Sequence, residues 1–236
     1  VTLLSNFNYF SSMNLLLLAL APIVTIILYI YYQDKHEKEP KRLLVYSFLL
    51  GAIVSIVITT ALYVFTDFVF PIPEKTSVWQ QFIKAFFMVA LVEEFSKYVI
   101  VRYFAQTNIA FNEQFDGIVY AVMVSMGFAA TENILYVIEG GYQVALLRAF
   151  TAVPAHATFA ILMGFFMGKA KFSNQPWKYN LLGLLLAVIF HGAYDFFLFL
   201  DFIPGIWVGA FASLFIGLLL SRKAIKHHQK NSYFKQ

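Results

Sequence analysis

The sequence predicts an all-α protein, a polytopic bundle of about seven transmembrane helices. Three observations indicate this fold. Hydrophobic residues make up 60% of the chain and charged residues 13%, whereas a soluble domain is about half apolar and about a quarter charged. The mean hydropathy is +0.70. Apolar stretches of about 20 residues, the length that crosses a bilayer, follow one another along most of the chain.

Seven stretches are candidates for the spanning helices, and the polar connections between them are short. In chain order they are 14–32, 43–68, 82–104, 117–138, 144–168, 179–200 and 204–220. They leave no room for a soluble domain, so we predict one integral membrane domain over residues 1–236. The chain has no cysteine, which excludes disulfides, zinc–thiolate sites and a cysteine nucleophile.

Basic residues are distributed unevenly among the connections. Loops one, three and five and the C-terminal tail hold thirteen Lys and Arg residues, against one, Lys75, in loops two, four and six. Cytoplasmic loops carry the basic excess in membrane proteins. We therefore predict that the N-terminus lies outside and the C-terminus inside. The net charge of +4 then reflects topology, and we expect a lipid bilayer as partner and no nucleic acid.

Three charges interrupt the third segment in the stretch VEEFSK. Glu93 and Glu94 lie about 11 residues into that segment, where an ionised group costs about 2.5–3.5 kcal/mol. Lys97 follows them by four and three residues, so it can reach either carboxylate on one helix face. A buried ion pair that only fixes packing is one interpretation, but it leaves the second carboxylate unexplained.

The next three segments also carry ionisable residues. These are Glu132, His156, and the pair His191 and Asp195, which share a helix face at i and i+4. Under the predicted topology all four lie between the membrane midplane and the outer leaflet. We therefore expect them to converge with Glu93 and Glu94 on one pocket, since intramembrane ionisable groups mark function by default.

Such a pocket suits several chemistries. A buried carboxylate can activate water as a general base, and His and carboxylate groups can hold Zn²⁺ and acidify its water. A proton- or cation-coupled transporter would use the same residue types, although it usually shows matching halves with broken helices. A non-catalytic scaffold would tolerate loss of the charges. The sequence lacks HExxH, GxSxG and GxGD motifs.

Structural roles are predicted for other residues. Asp116 is interpreted as a cap at the inner end of the fourth helix, and Arg148 as a cation that snorkels to the outer interface. Ala160, Gly164 and Gly168 recur at every fourth residue, which predicts close helix packing.

The ordered motifs Glu93-Glu94-x-x-Lys97, Phe128-x-x-x-Glu132 and His191-x-x-x-Asp195 resemble those of the PrsW family of intramembrane proteases. The FDGIVY stretch around Asp116 and the additional His156 also fit. The resemblance covers about residues 82–200, which we take as the catalytic core. The related CAAX prenyl proteases and ABI proteins carry EExxxR and FxxxH motifs, from which this sequence departs at Lys97 and Glu132.

The resemblance implies a protease of the bacterial cytoplasmic membrane. Such an enzyme makes the first, extracytoplasmic-side cut in a single-pass anti-sigma factor during envelope stress. Its cofactor is left open by the residues, with zinc as the candidate metal.

Roles follow from the residue types. We predict that Glu93 and Glu132 activate water beside Glu94, and that His191 and Asp195 polarise the scissile carbonyl. Alternatively Glu132, His156, His191 and Asp195 ligate a metal. Supporting roles are predicted for Lys97, His156, Phe128 and Asp116.

Overall fold

The computed structural model describes residues 2–71 and 77–235, with side chains from residue 13 onward. Its regular elements over these residues are seven helical rods, with no strand among them. They are α1 (Thr2–Gln33), α2 (Lys41–Val69), α3 (78–105), α4 (Asp116–Phe150), α5 (Ala152–Lys171), α6 (Pro176–Phe199) and α7 (Val208–Lys230). Lys75, the basic residue expected in the second loop, lies outside the described ranges.

Within the described ranges, five stretches are long and apolar enough to cross a membrane. They are Met13–Gln33, Lys41–Val69, Asp116–Lys171, Pro176–Phe199 and Val208–Lys230. The stretch Asp116–Lys171 contains two of the predicted segments. Helix α3 is not among the five stretches, because its charged residues make it too polar. The all-helical membrane fold is confirmed, whereas the count of seven spans and the orientation stay predictions.

Local signals mark the starts of three helices. Pro40 precedes the start of α2, Ser77 and Gln80 form a capping box at the start of α3, and Pro176 opens α6, where its missing N–H costs nothing. Two helices contain π-helical segments, at Gly51–Ser55 in α2 and at Lys84–Ala90 and Val101–Ala105 in α3. The segment Lys84–Ala90 ends three residues before Glu93, which agrees with the frequent occurrence of π segments at functional sites.

The predicted segment 144–168 has the wrong boundary. Residues 144–150 belong to α4, and α5 begins at Ala152 after Thr151 leaves helical geometry. Gly141, with φ of 67°, already turns the chain inside α4, a conformation that costs glycine little. His156 therefore lies in the first two turns of α5 rather than mid-helix, and Pro154 is tolerated because it lies in the first turn.

The seventh predicted segment is also too short, since α7 continues to Lys230. The extension packs on the bundle through buried Ser221, Ala224, Ile225 and His228. The His228 ring bonds the Phe165 carbonyl at 2.9 Å.

The central helix of the bundle is α4. Every residue from Phe115 to Ala130 is buried, and α1, α2, α3 and α5 all pack on α4. Helix α5 approaches α4 closely: a Cβ added at Gly164 would lie 2.3 Å from the Gly117 carbonyl oxygen. The predicted close packing at Gly164 is thus confirmed. The remaining helices α6 and α7 pack on α5, and α6 also contacts α3.

Candidate active site

The three charges of the VEEFSK stretch in α3 form one buried ion-pair cluster. Lys97 Nζ lies 2.7 Å from Glu94 Oε1 and 3.4 Å from Glu93 Oε2, so both contacts expected from the spacing are present. Glu93 is 6% exposed, and Glu94 and Lys97 are each 1% exposed. The ammonium also lies 4.1 Å from the centre of the Phe128 ring, which gives Phe128 a direct contact with the cluster.

Two histidines from other helices complete this cluster. His156 of α5 places Nδ1 at 3.3 Å from Lys97 Nζ, and His191 of α6 places Nδ1 at 2.9 Å from Glu94 Oε1. The two imidazole rings are 5.6 Å apart, and Phe159 stacks on His191 at 4.9 Å. The structure thus brings together residues that lie about 100 positions apart in the sequence.

A carboxylate lies on the far side of each imidazole. Glu132 Oε2 is 2.8 Å from His156 Nε2, and Asp195 Oδ2 is 3.2 Å from His191 Nε2. Lys97 donates a hydrogen bond to Nδ1 of His156. The ring proton of His156 is therefore on Nε2, which donates to Glu132. His191 lies between two carboxylates, so it donates to both as an imidazolium or one of the carboxyl groups holds a proton.

Two further residues of the site are not predicted from the sequence. The Tyr63 hydroxyl of α2 donates to Glu93 Oε1 at 2.7 Å, although an aromatic residue in an apolar segment carries no signal for this role. Arg148 Nη2 lies 3.0 Å from Glu132 Oε2. The snorkelling interpretation of Arg148 is therefore wrong, because the turn at Gly141 directs that side chain back to the bundle.

The site opens into a cavity of about 630 Å³. Its polar lining includes Tyr63, Glu93, Glu132, His156, His191 and Asp195. Glu94 and Lys97 do not line it and lie behind Glu93. Of the two adjacent carboxylates, Glu93 is therefore the one that a water molecule in the cavity can reach.

Carboxylates and imidazoles are both ligands for a divalent metal such as zinc. Among the described residues, one group of three has ligand atoms that all lie within 4.8 Å of one another: Glu93, Glu94 and His156. This set shares only His156 with the predicted one, because Glu132 and Asp195 lie on the outer sides of the imidazoles.

The residues fit such an ion. Two carboxylates and one imidazole suit zinc, and Glu94 Oε2 is buried without a hydrogen-bond partner among the described residues. Lys97 Nζ lies 2.7–3.4 Å from atoms of all three residues, so the ammonium and a metal would compete for this space.

Asp116 lies at the other end of α4 and does not line the cavity. Its Oδ2 accepts from the backbone N–H groups of Asn112 and Glu113 at 2.7 and 2.8 Å, and the residue at the N-cap position is Phe115. The predicted cap of α4 is therefore wrong, because the carboxylate orders the preceding loop instead.

Other buried carboxylates surround Asp116 at this end of the bundle. The Tyr120 hydroxyl donates to Glu39, and Asp34 and Glu113 are also buried. Burial raises the pKa of Asp34 to about 7 and also raises the pKa values of Glu39 and Glu113. This acidic end is separate from the cavity.

Comparison with known proteins gives a consistent result. The family described as "PrsW family intramembrane metalloprotease" matches residues 39–221. Protease PrsW of Geobacillus kaustophilus is 36% identical over 84% of this chain and 85% of its own length. Protease PrsW of Oceanobacillus iheyensis is 39% identical over 79% and 83%, and Protease PrsW of Bacillus subtilis is 36% identical over 76% and 80%. No solved structure matches the chain.

The match extends beyond the predicted core of 82–200 and includes α2, which supplies Tyr63. It bears out the resemblance. It also bears out two assignments, that the chain is a peptidase and that it is a multi-pass bacterial membrane protein. The chain belongs to the PrsW family of intramembrane metalloproteases.

Proposed function

We propose that the chain is an endopeptidase that makes the first cut in a single-pass membrane anti-sigma factor, using water activated by Glu93. The observation that carries the proposal is the position of Glu93, which faces a cavity of about 630 Å³ whose lining also comes from α2, α4, α5 and α6. The substrate class comes from the family resemblance, and the hydrolytic role comes from the geometry.

Glu93 is suited to the role of general base. One carboxylate oxygen accepts a hydrogen bond from Tyr63 at 2.7 Å and the other lies 3.4 Å from Lys97, so the group is oriented from two sides. In the proposed step Glu93 takes a proton from water, and the resulting hydroxide attacks the scissile carbonyl carbon. As the C–N bond breaks, the protonated Glu93 returns its proton to the leaving amine.

The histidine–carboxylate pairs flank this reaction. Glu132 orients His156, and Asp195 orients His191, as carboxylates commonly do for metal-ligating imidazoles. Held by Glu93, Glu94 and His156, a divalent metal would polarise a carbonyl and lower the pKa of water. The predicted action of His191 and Asp195 on the scissile carbonyl stays a prediction, with the support that both residues line the cavity.

The test uses purified protein in lipid vesicles with a single-pass anti-sigma factor as substrate. Glu93→Gln keeps the shape of the side chain and removes the base, so cleavage should fall about 10²–10⁴-fold. Glu139→Gln is the matched control, because Glu139 is exposed on α4 and should leave cleavage unchanged. Wild-type cleavage by Glu93→Gln would overturn the assignment of the base.

Two further experiments test the substrate class and the requirement for a metal. A single-pass segment unrelated to anti-sigma factors should be cut more slowly, and equal cutting contradicts the substrate class. A chelator that removes a stoichiometric metal and abolishes cleavage supports the metal-dependent route. Full cleavage by metal-free protein supports water activation by the carboxylates alone.

A further inference from the structure

The chain reversal inside α4 brings Arg148 to the active site. Arg148 follows Glu132 by 16 residues, which an uninterrupted helix would separate by about 24 Å. Gly141 adopts φ of 67° between them, and Arg148 Nη2 lies 3.0 Å from Glu132 Oε2. The turn therefore converts a distant residue into a neighbour of the carboxylate.

The Arg148 guanidinium is fixed by contacts on three sides. Its Nε donates to Asn133 Oδ1 at 2.7 Å, Nη2 donates to Glu132, and its centre lies 4.1 Å from the Tyr136 ring. The Asn133 amide in turn donates to the Ala19 carbonyl of α1 at 2.7 Å. A snorkelling cation would extend toward water, whereas the Arg148 side chain is only 13% exposed.

A single carboxylate oxygen of Glu132 accepts hydrogen bonds from both the arginine and the histidine. Glu132 Oε2 accepts from Arg148 Nη2 and from His156 Nε2 at 2.8 Å. The bond from His156 to Glu132 fixes the ring proton on Nε2. The lone pair of Nδ1 then accepts from Lys97. Glu132 without Arg148 would be a partly buried carboxylate with a single partner.

We propose that Arg148 is a positioning residue for peptide hydrolysis: it holds Glu132, and Glu132 holds the His156 ring and its Nε2–H tautomer. The inference rests on the proposed function, because it assumes that His156 works in the reaction beside Glu93. It assigns Arg148 no contact with the reacting atoms.

The first test measures cleavage by Arg148→Met and Arg148→Lys. Arg148→Met should lower kcat about 10–100-fold, the range for residues that orient ligating side chains, with KM unchanged. Arg148→Lys should recover part of the loss, because an ammonium can pair with Glu132 but lacks the fork that also reaches Asn133. Arg102→Met is the control, since Arg102 bonds Gln106 outside the cavity lining.

A double-mutant cycle separates this role from others. If Arg148 acts through Glu132, then Arg148→Met combined with Glu132→Gln should cleave at the rate of Glu132→Gln alone. Multiplicative losses, or a raised KM with unchanged kcat, would instead indicate substrate contact and overturn the proposal. If Glu93→Gln cleaves normally while Arg148→Met and Glu132→Gln both lose activity, the base of the proposed function fails and the role of Arg148 stands. If Glu132→Gln cleaves normally, the role of Arg148 fails.

A spectroscopic readout does not depend on turnover. In protein labelled with ¹⁵N-histidine, with His156→Gln used for assignment, the wild-type His156 should show a protonated Nε2 and a bare Nδ1. Arg148→Met should give a mixture of tautomers, and Asn133→Ala, which keeps the charge but removes the Nε acceptor, should give a smaller change. A pure Nε2–H tautomer in Arg148→Met refutes the proposal, also where that variant is too unstable for kinetics.

Discussion

At the scale of single residues, Lys97 has more partners than its sequence neighbours suggest. The i+3 and i+4 spacing predicts contacts with Glu94 and Glu93, and both are present. The spacing contains no information about the contacts with His156 and Phe128, which come from α5 and α4. The lysine is therefore the point at which three helices meet.

Lys97→Met is expected to destabilise the fold. The variant leaves Glu93 and Glu94, 6% and 1% exposed, without their cation, and breaking a buried pair from one side costs about 3–5 kcal/mol. Denaturant unfolding in detergent micelles measures the loss, and Lys178→Met, an exposed substitution, should change the midpoint little. An unfolding midpoint for Lys97→Met equal to that of wild type would mean that the carboxylates are neutral or neutralised by another cation.

The residues that could be predicted are those whose chemistry is anomalous in lipid. Glu93, Glu132, His156 and His191 stand out because an ionisable group in an apolar helix needs a partner. Tyr63 does not stand out, because tyrosine is common in membrane helices. Only the orientation of α2 about its axis shows that the Tyr63 hydroxyl reaches Glu93.

At the scale of elements, the helices could be predicted but one junction could not. Hydropathy continues through residues 117–168 with little interruption, so the break at Thr151 leaves no composition signal. The glycine pair at 140–141 does mark a turn, but the sequence alone does not say that the following residues fold back onto the same site. This is why Arg148 received the wrong role.

The packing of α4 on α5 gives the element-scale prediction. A Cβ at Gly164 would meet the Gly117 carbonyl at 2.3 Å, and backbone cannot move as a side chain can. Gly164→Val should therefore separate the helices and destabilise the protein by about 1–3 kcal/mol or more. Because His156 lies on α5 and Glu132 on α4, cleavage should fall as well.

The control for this variant is Ala212→Val on the exposed face of α7, which adds the same branched side chain without a backbone neighbour. Thermal unfolding of both variants in the same detergent gives the comparison. A Gly164→Val protein as stable as the control would show that α4 and α5 can separate at no cost.

At the scale of the whole molecule, the cavity and the acidic cluster lie at opposite ends of the bundle. The cavity is lined by the second half of α2, residues 84–93 of α3, α4 from residue 128 onward, the start of α5 and the end of α6. The acidic residues Asp34, Glu39 and Asp116 lie at the end of α1, before α2 and at the start of α4. Alternation of helix direction places each group at one end.

The positive-inside rule then connects this polarity to the direction of cleavage. The loop that holds Asp34 and Glu39 also holds Lys35 and Lys38, with Lys41 and Arg42 directly after it, so the acidic end should be cytoplasmic. The cavity end should face outward. A cut made there would fall on the extracytoplasmic side of a single-pass substrate, as the proposed function requires.

Single-cysteine labelling tests this orientation, and the absence of native cysteine removes any background. Lys35→Cys and Gln143→Cys place thiols at exposed positions on the two ends. With an impermeant maleimide on intact cells, position 143 should label and position 35 should label only after permeabilisation. The reverse pattern would turn the cavity toward the cytoplasm and contradict a first cut made from outside, even if the catalytic assignments held.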